Sequence, residues 1–139
     1  ADASWIAGDW RLVASYALTD ASVRGRDASA VLDGLTPAQT PRHQASATLG
    51  WRELAVTARY IGSQFEDDAN SRRLAAAFTL DAVARVPLTG VIDLFARAEN
   101  IADARVETAI GGPGVIERAS PRTLWIGLAY RPSRSNSAR

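Results

Sequence analysis

The chain has 139 residues, 47% of them apolar, a formal net charge of +1, and neither cysteine nor methionine. That apolar fraction is too high for a disordered chain, and the near-neutral charge gives no global field to draw nucleic acid. Without cysteine there is no disulfide framework or thiol catalysis, and the longest apolar run, Leu74 to Phe78, falls far short of the roughly 18 residues a spanning helix needs.

Residues 1–8 read as the end of a preceding strand or a turn. The chain opens Ala1-Asp2-Ala3-Ser4 without methionine, as one processed or excised from a longer polypeptide would. Period-2 alternation, the mark of a half-buried strand, begins at residues 10–19. Trp10, Leu12, Ala14, Tyr16 and Leu18 face one way there, and Arg11, Val13, Ser15, Ala17 and Thr19 the other. A turn-rich stretch, 20–41, follows with Gly25, Gly34, Pro37 and Pro41. A second segment, 43–51, sets Ala45, Ala47, Leu49 and Trp51 against Gln44, Ser46, Thr48 and Gly50. After Arg52-Glu53 alone, a third, 54–61, opposes Leu54, Val56, Ala58 and Tyr60 to Ala55, Thr57 and Arg59. Residues 62–73, acidic at Glu66-Asp67-Asp68, read as a loop.

The fourth segment, 74–86, opens on Ala75-Ala76-Ala77, which would suit a helix. Phe78, Leu80, Ala82, Ala84 and Val86 nevertheless alternate with Thr79, Asp81, Val83 and Arg85. Residues 87–90 form a tight turn by composition. The fifth segment sets Ile92, Leu94, Ala96 and Ala98 against Asp93, Phe95, Arg97 and Glu99. A long Gly-Pro loop covers 101–121. A sixth strand then alternates Leu124, Ile126, Leu128 and Tyr130 with Thr123, Trp125, Gly127 and Ala129. The polar residues 132–139 read as a disordered tail.

The connections run long, short, long, short, long, the rim asymmetry of a membrane barrel. Aromatic residues sort by rim: Trp10, Trp51 and Tyr130 lie at short-turn ends, Tyr60 and Phe78 at long-loop ends, all on the apolar face. Two interfacial girdles would need that placement, and a soluble sandwich or lipocalin-like barrel would not produce it. The fold class predicted is all-β, an antiparallel transmembrane β-barrel. Six strands cannot close such a barrel, because open edges leave backbone groups unpaired in lipid. The chain therefore reads as one segment, 9–131, of a larger barrel.

Particular stretches carry a family likeness. They are Trp10-Arg11-Leu12-Val13-Ala14-Ser15-Tyr16 with Thr19-Asp20-Ala21, and Thr40-Pro41-Arg42-His43-Gln44. Tyr60-Ile61-Gly62-Ser63-Gln64-Phe65 with Asp67, Asp68 and Asn70 follows, then Ala98-Glu99-Asn100-Ile101-Ala102-Asp103 with Val106-Glu107-Thr108. The last is Pro121-Arg122-Thr123-Leu124-Trp125-Ile126-Gly127-Leu128-Ala129-Tyr130-Arg131. Five such motifs in order resemble the C-terminal barrel strands of TonB-dependent outer-membrane receptors. The resemblance implies a barrel of about 22 strands, an N-terminal plug that meets the TonB complex, and energised uptake of a ferric siderophore or similar ligand. It also implies the outer membrane of a Gram-negative bacterium. Two features depart from the pattern: Ala104-Arg105-Val106 lacks the usual aromatic, and the chain runs past Tyr130-Arg131.

The residues point to no catalysis. His43 is the only histidine, with no second histidine or cysteine to complete a metal site. Glu66, Asp67 and Asp68 lack the spacing of a dedicated Ca²⁺ loop, and Gly111-Gly112-Pro113-Gly114 lacks the Lys-Ser/Thr of a phosphate loop. No cofactor, catalytic residue or metal site is expected. Arg59, Asp81, Arg85, Asp93, Arg97 and Glu99 are expected to face the lumen, as a bracing salt-bridge ladder or as a polar wall past which a substrate or the plug moves. Arg24, Arg26, Asp67, Asp68, Arg72 and Arg73 are expected on extracellular loops. Lipid, lipopolysaccharide, TonB and a ferric ligand are the expected partners. The alternatives are a small oligomeric structural or adhesive barrel and a rim-sited outer-membrane enzyme.

Overall fold

A computed structural model describes residues 1–131. In chain order the strands are β1 (Asp2–Ala7), β2 (Trp10–Leu18), β3 (His43–Trp51), β4 (Leu54–Ile61), β5 (Gln64–Phe65), β6 (Arg73–Leu74), β7 (Ala77–Pro87), β8 (Ile92–Glu99), β9 (Glu107–Ile110), β10 (Ile116–Arg118) and β11 (Thr123–Tyr130). A 3₁₀ turn spans Asp27–Leu32. Seven of the strands form one antiparallel meander, β1-β2-β3-β4-β7-β8-β11. The pairs β5–β6 and β9–β10 are short hairpins inside the long connections.

Two details differ from the alternation. Residues 2–7 form a full strand, one more than the six counted: Ala3, Trp5 and Ala7 alternate with Asp2, Ser4 and Ile6 over too short a stretch to stand out. Gly8, at φ 56, supplies the left-handed residue that lets the chain reverse into β2. Leu74, expected to open the fourth segment, belongs instead to the β5–β6 hairpin, and β7 begins at Ala77. The alanine run at 75–77 therefore marks the join between loop and strand. The tail expected at 132–139 lies outside the described residues.

Register carries the alternation unbroken across the sheet. Trp10 opposes Trp51, which opposes Leu54; Tyr60 opposes Phe78; Ala98 opposes Leu124. One face is thus continuously apolar. The other bears the serines, threonines and most of the charges. Phe95 is an exception on this polar face. Its ring lies over Gly127 of the neighbouring strand, where a Cβ would come within 2.7 Å of the ring, so glycine is what leaves room for it.

There is almost no water-excluding core. Leu74 is the only buried large apolar side chain among the described residues. By contrast Leu49 on β3 is 44% exposed and Val56 on β4 37%, in the middle of the apolar face. A soluble domain would have to hide such a surface. A sheet facing hydrocarbon has no such need, provided every backbone group is paired in the ladder. Short turns (Gly8-Asp9, Arg52-Glu53, residues 88–91) gather on one rim and the three long connections on the other.

Candidate functional site

The polar face is cross-braced along its length. Ser15 and Ser46 Oγ lie 2.8 Å apart, and Thr48 and Thr57 Oγ1 2.9 Å apart, each pair directly opposed across two strands. Arg59 pairs with Asp81, whose other oxygen accepts the Asn100 backbone N–H at 2.9 Å. Arg97 and Glu99 pair at 2.6 Å. Each charge is thereby neutralised by a neighbour on the same surface, an arrangement that stiffens a wall.

The short-turn end of this face carries a different node. Asp93 is fully buried, and Arg131 Nη2 donates to its Oδ1 at 2.6 Å. Arg85 Nε stands 3.9 Å from Oδ2, which has no hydrogen-bond donor among the described residues. The Arg131 backbone N–H also donates to Val91 O at 2.7 Å. Together these contacts seat the end of β11 against the turn before β8.

At the opposite rim the long loops hold one another. Asn70 donates through Nδ2 to Thr36 O (2.7 Å) and accepts the Thr36 N–H at Oδ1 (3.0 Å). Asp68 Oδ1 accepts the Ala38 N–H at 2.8 Å, and Gln39 Nε2 donates to Glu66 at 3.2 Å. On the other side Arg72 Nη1 donates to Ile110 O at 2.8 Å, and Ala75 N–H to Glu107 at 2.7 Å. Asn100, almost fully buried, ties its own loop closed through Ala104 and Ser120. The connection after β4 is therefore the keystone between the other two.

Asn70 suits that place because asparagine tolerates the left-handed backbone found there, φ 55. Asn70→Ala loses both contacts with Thr36 and strains the turn. It is expected to cost about 1–2 kcal/mol of local loop stability. Limited proteolysis should then cut within residues 19–42 while barrel unfolding stays unchanged.

The acidic run does not converge on an ion. Among the described residues no three His, Cys, Asp or Glu side chains gather. Asp67 is spent on Ser71, through the hydroxyl at 2.6 Å and the N–H at 2.8 Å, and on Arg72 Nε at 2.9 Å. The Ser71 hydroxyl, with Arg72 and the Ser71 N–H adding, holds the Asp67 carboxyl down from the ordinary 3.8 to about 2. A lowered acid stabilises the fold above its unfolded pKa and loses that contribution as pH falls through the folded one. The turn is therefore expected to stay closed at pH 4 and to open as pH drops from 3.8 towards 2, read by hydrogen exchange at Ser71. Asp67→Asn should remove that pH dependence.

The charged residues singled out from the sequence on strands do share one face, joined as the pairs Arg59–Asp81 and Arg97–Glu99 and the cluster Arg85–Asp93–Arg131. Of the loop residues, Asp67, Asp68 and Arg72 are held inside the loop lattice, whereas Arg24 and Arg26 stand exposed on the first long connection. Arg73 donates to Ser63 Oγ at 2.8 Å. On the apolar face Trp10 and Trp51 meet at the short-turn rim, ring centroids 6.0 Å apart, with Arg52 over the Trp51 ring at 4.9 Å. Tyr130 shares that rim; Tyr60 and Phe78 sit together at the other. His43 Nδ1 lies 2.7 Å from the Tyr16 hydroxyl. Sequence reasoning placed Asn70, Asn100 and Arg131 in the family-like motifs but gave none of them a structural role. Only the two asparagines left a signal, as turn residues able to adopt positive φ.

This two-faced sheet with one rim of long loops has counterparts among known proteins. Residues 1–101 match the family described as TonB dependent receptor-like, beta-barrel, and the chain belongs to that family. It is therefore part of a Gram-negative outer-membrane barrel. No curated protein matches the sequence. The fold is similar to that of the ferric yersiniabactin uptake receptor FyuA from Yersinia pestis, with TM-score 0.80 and 20% identity over 93% of this chain and 22% of that one. It is also similar to the siderophore receptor PiuA from Acinetobacter baumannii, with TM-score 0.77 and 19% identity over 90% of this chain and 20% of that one. The ferric citrate transporter FecA gives TM-score 0.72 and 20% identity over 88% of this chain and 21% of that one. The chain thus spans about a fifth of the length of these receptors.

Proposed function

We propose that the chain is a wall segment and part of the loop rim of an outer-membrane receptor for energised uptake of a scarce nutrient, an iron-siderophore complex being the first candidate. The observation that carries this reading is the division of labour in one sheet: an uncovered apolar face, a braced polar face, and three long loops locked together on a single rim. The solved structures it resembles carry siderophore and ferric citrate names, which favours iron over other cargo.

In this reading Arg59, Asp81, Arg85, Asp93, Arg97 and Glu99 face the lumen as braces. The long-loop rim is extracellular, and Arg24 and Arg26 are its free cations towards an anionic ligand. Outer-leaflet lipopolysaccharide borders the Tyr60–Phe78 girdle, and the Trp10–Trp51 girdle with Tyr130 marks the periplasmic side. TonB acts through a plug supplied by another part of the polypeptide. No residue here takes a catalytic role. An oligomeric adhesive barrel would need copies of this chain to pair β1 with β11; the intact mass of the protein purified from outer membranes separates the two.

Uptake of ⁵⁵Fe-labelled ferric siderophores by iron-starved cells tests the reading. Deleting the gene should abolish uptake of at least one complex, and a protonophore should abolish it equally. Uptake that survives deletion for every ferric complex, haem and ferric citrate included, removes iron as the cargo.

A further inference from the structure

Most of the charge on the polar face is spent within it, Arg59 on Asp81 and Arg97 on Glu99. Arg11 is different. It is exposed on β2, and among the described residues no carboxylate lies within ion-pair reach of it. Register fixes its side of the sheet. Arg11 opposes Gly50, Gly50 opposes Ala55 and Ala55 opposes Val83, one row across four strands. Thr48 and Thr57, whose hydroxyls meet, stand in the next row of the same face.

This row lines an open trough of about 420 Å³ at the short-turn end of the wall. Gly50 and Ala55 make a low floor, so nothing on the wall itself rises to meet Arg11. Arg85 borders the trough from the far side, on β7, three strand spacings or roughly 14 Å from β2. Its Nε is 3.9 Å from Asp93, whose other oxygen takes Arg131 at 2.6 Å. The Arg85 Nη groups have no acceptor among the described residues. A third cation, Arg52, is held by Asp9 at 2.7 Å, and Glu53 at the lip is the one acid of the trough without an ion pair among the described residues. The trough thus offers more cation than its own acids take up. This chain spans about a fifth of the receptors it resembles, so most of such a polypeptide lies outside it, and large outer-membrane transporter barrels have a filled lumen.

We propose that Arg11 and Arg85 seat an acidic segment of the same polypeptide, one that lies inside the barrel against the short-turn end of this wall. The inference rests on the lumenal orientation proposed above and names a contact within it, its surface and the sign of its partner. Carboxylates would enter between the two arginines over Gly50 and Ala55, where each guanidinium offers paired N–H donors. Partly exposed ion pairs are weak and screened by salt. The seat therefore holds its occupant releasably, unlike the buried Asp93–Arg131 node.

The test uses the full-length protein in outer membranes. The segment has no lysine, so Arg11→Lys introduces an amine that a carbodiimide joins only to a carboxylate in contact with it. Peptide mass spectrometry then reads the partner. Arg11→Lys should be joined to an Asp or Glu of this polypeptide outside residues 1–139, and Arg85→Lys to the same segment. Arg97→Lys, joined to its neighbour Glu99, is the positive control. A product with Asp9 or Glu53 alone, with a separate protein or with a small acid overturns the seat. So does the absence of product from Arg11→Lys while the control is joined. A full-length protein with no polypeptide beyond its barrel strands would instead strike the reading on which the inference rests.

Discussion

Arg131→Ala is expected to destabilise the barrel by about 3 kcal/mol, although Arg131 is itself a largely exposed side chain. The cost falls on its partner. Asp93 is wholly buried, and Arg131, 2.6 Å away, is its close cation; Arg85 at 3.9 Å is a loose second. Asp93 Oδ2 already has no donor among the described residues. Without Arg131 a buried carboxylate is left with one distant charge, and an uncompensated buried charge is costlier than the pair's net contribution. The reverse change should be milder. Asp93→Asn keeps shape and an acceptor oxygen, and the two arginines it releases can turn into water. About 1 kcal/mol is expected for it. The double variant should be more stable than Arg131→Ala alone. Urea unfolding of the full-length protein in detergent checks the ordering, and an Arg131→Ala no worse than Asp93→Asn would contradict it.

The second large effect separates the two faces within one strand. Ala47 lies near the centre of β3 on the apolar face, between Ala14 and Ala58 of the flanking strands. Its neighbour Thr48 points to the polar face and meets Thr57. Ala47→Arg places a guanidinium in hydrocarbon near the midplane and is expected to cost about 2–4 kcal/mol. Thr48→Arg loses one hydroxyl contact and meets a polar wall, so about 1 kcal/mol or less is expected. Folding yield into lipid vesicles under a urea series reads both. Similar penalties for the two would mean that the sheet has no lipid side.

Most of the architecture could be read from the chain because strand alternation has a period of two and register preserves it from strand to strand. The alternation of Trp10 to Leu18 against Arg11 to Ala17 predicts its own face, and pairing with His43–Trp51 repeats it. The stretch of β1 read as either the end of a strand or a turn because six residues with one tryptophan give too short a pattern, and its pairing to β2 decides for the strand. The lumenal candidates were visible as charges at odd positions. Their pairings were not, because Arg59 reaches Asp81 across a strand pair that only the fold brings together.

The loops were legible as loops by their Gly, Pro and acidic content, but not as a lattice. Asp68, Asn70 and Arg72 bond to backbone groups brought close by the fold, and backbone partners such as the Ala38 N–H, Thr36 O and Ile110 O carry no sequence signal. The acidic run therefore read only as part of an extracellular loop, whereas Glu66 and Asp68 reach the first long connection and Asp67 closes its own turn. Arg131 was hidden for the same reason: it follows the last strand and meets Asp93 only through β11–β8 pairing.

The central claim is the assignment of faces, apolar to lipid and polar to the lumen. This segment has no cysteine, so single cysteines at positions 45 to 50, in an otherwise cysteine-free full-length barrel, can carry nitroxide labels in lipid vesicles. Collisions with oxygen, enriched in hydrocarbon, should rise at Ala45, Ala47 and Leu49. Collisions with a water-soluble nickel chelate should rise at Ser46, Thr48 and Gly50. Accessibility without that two-residue period, or with its phase reversed, would contradict the account.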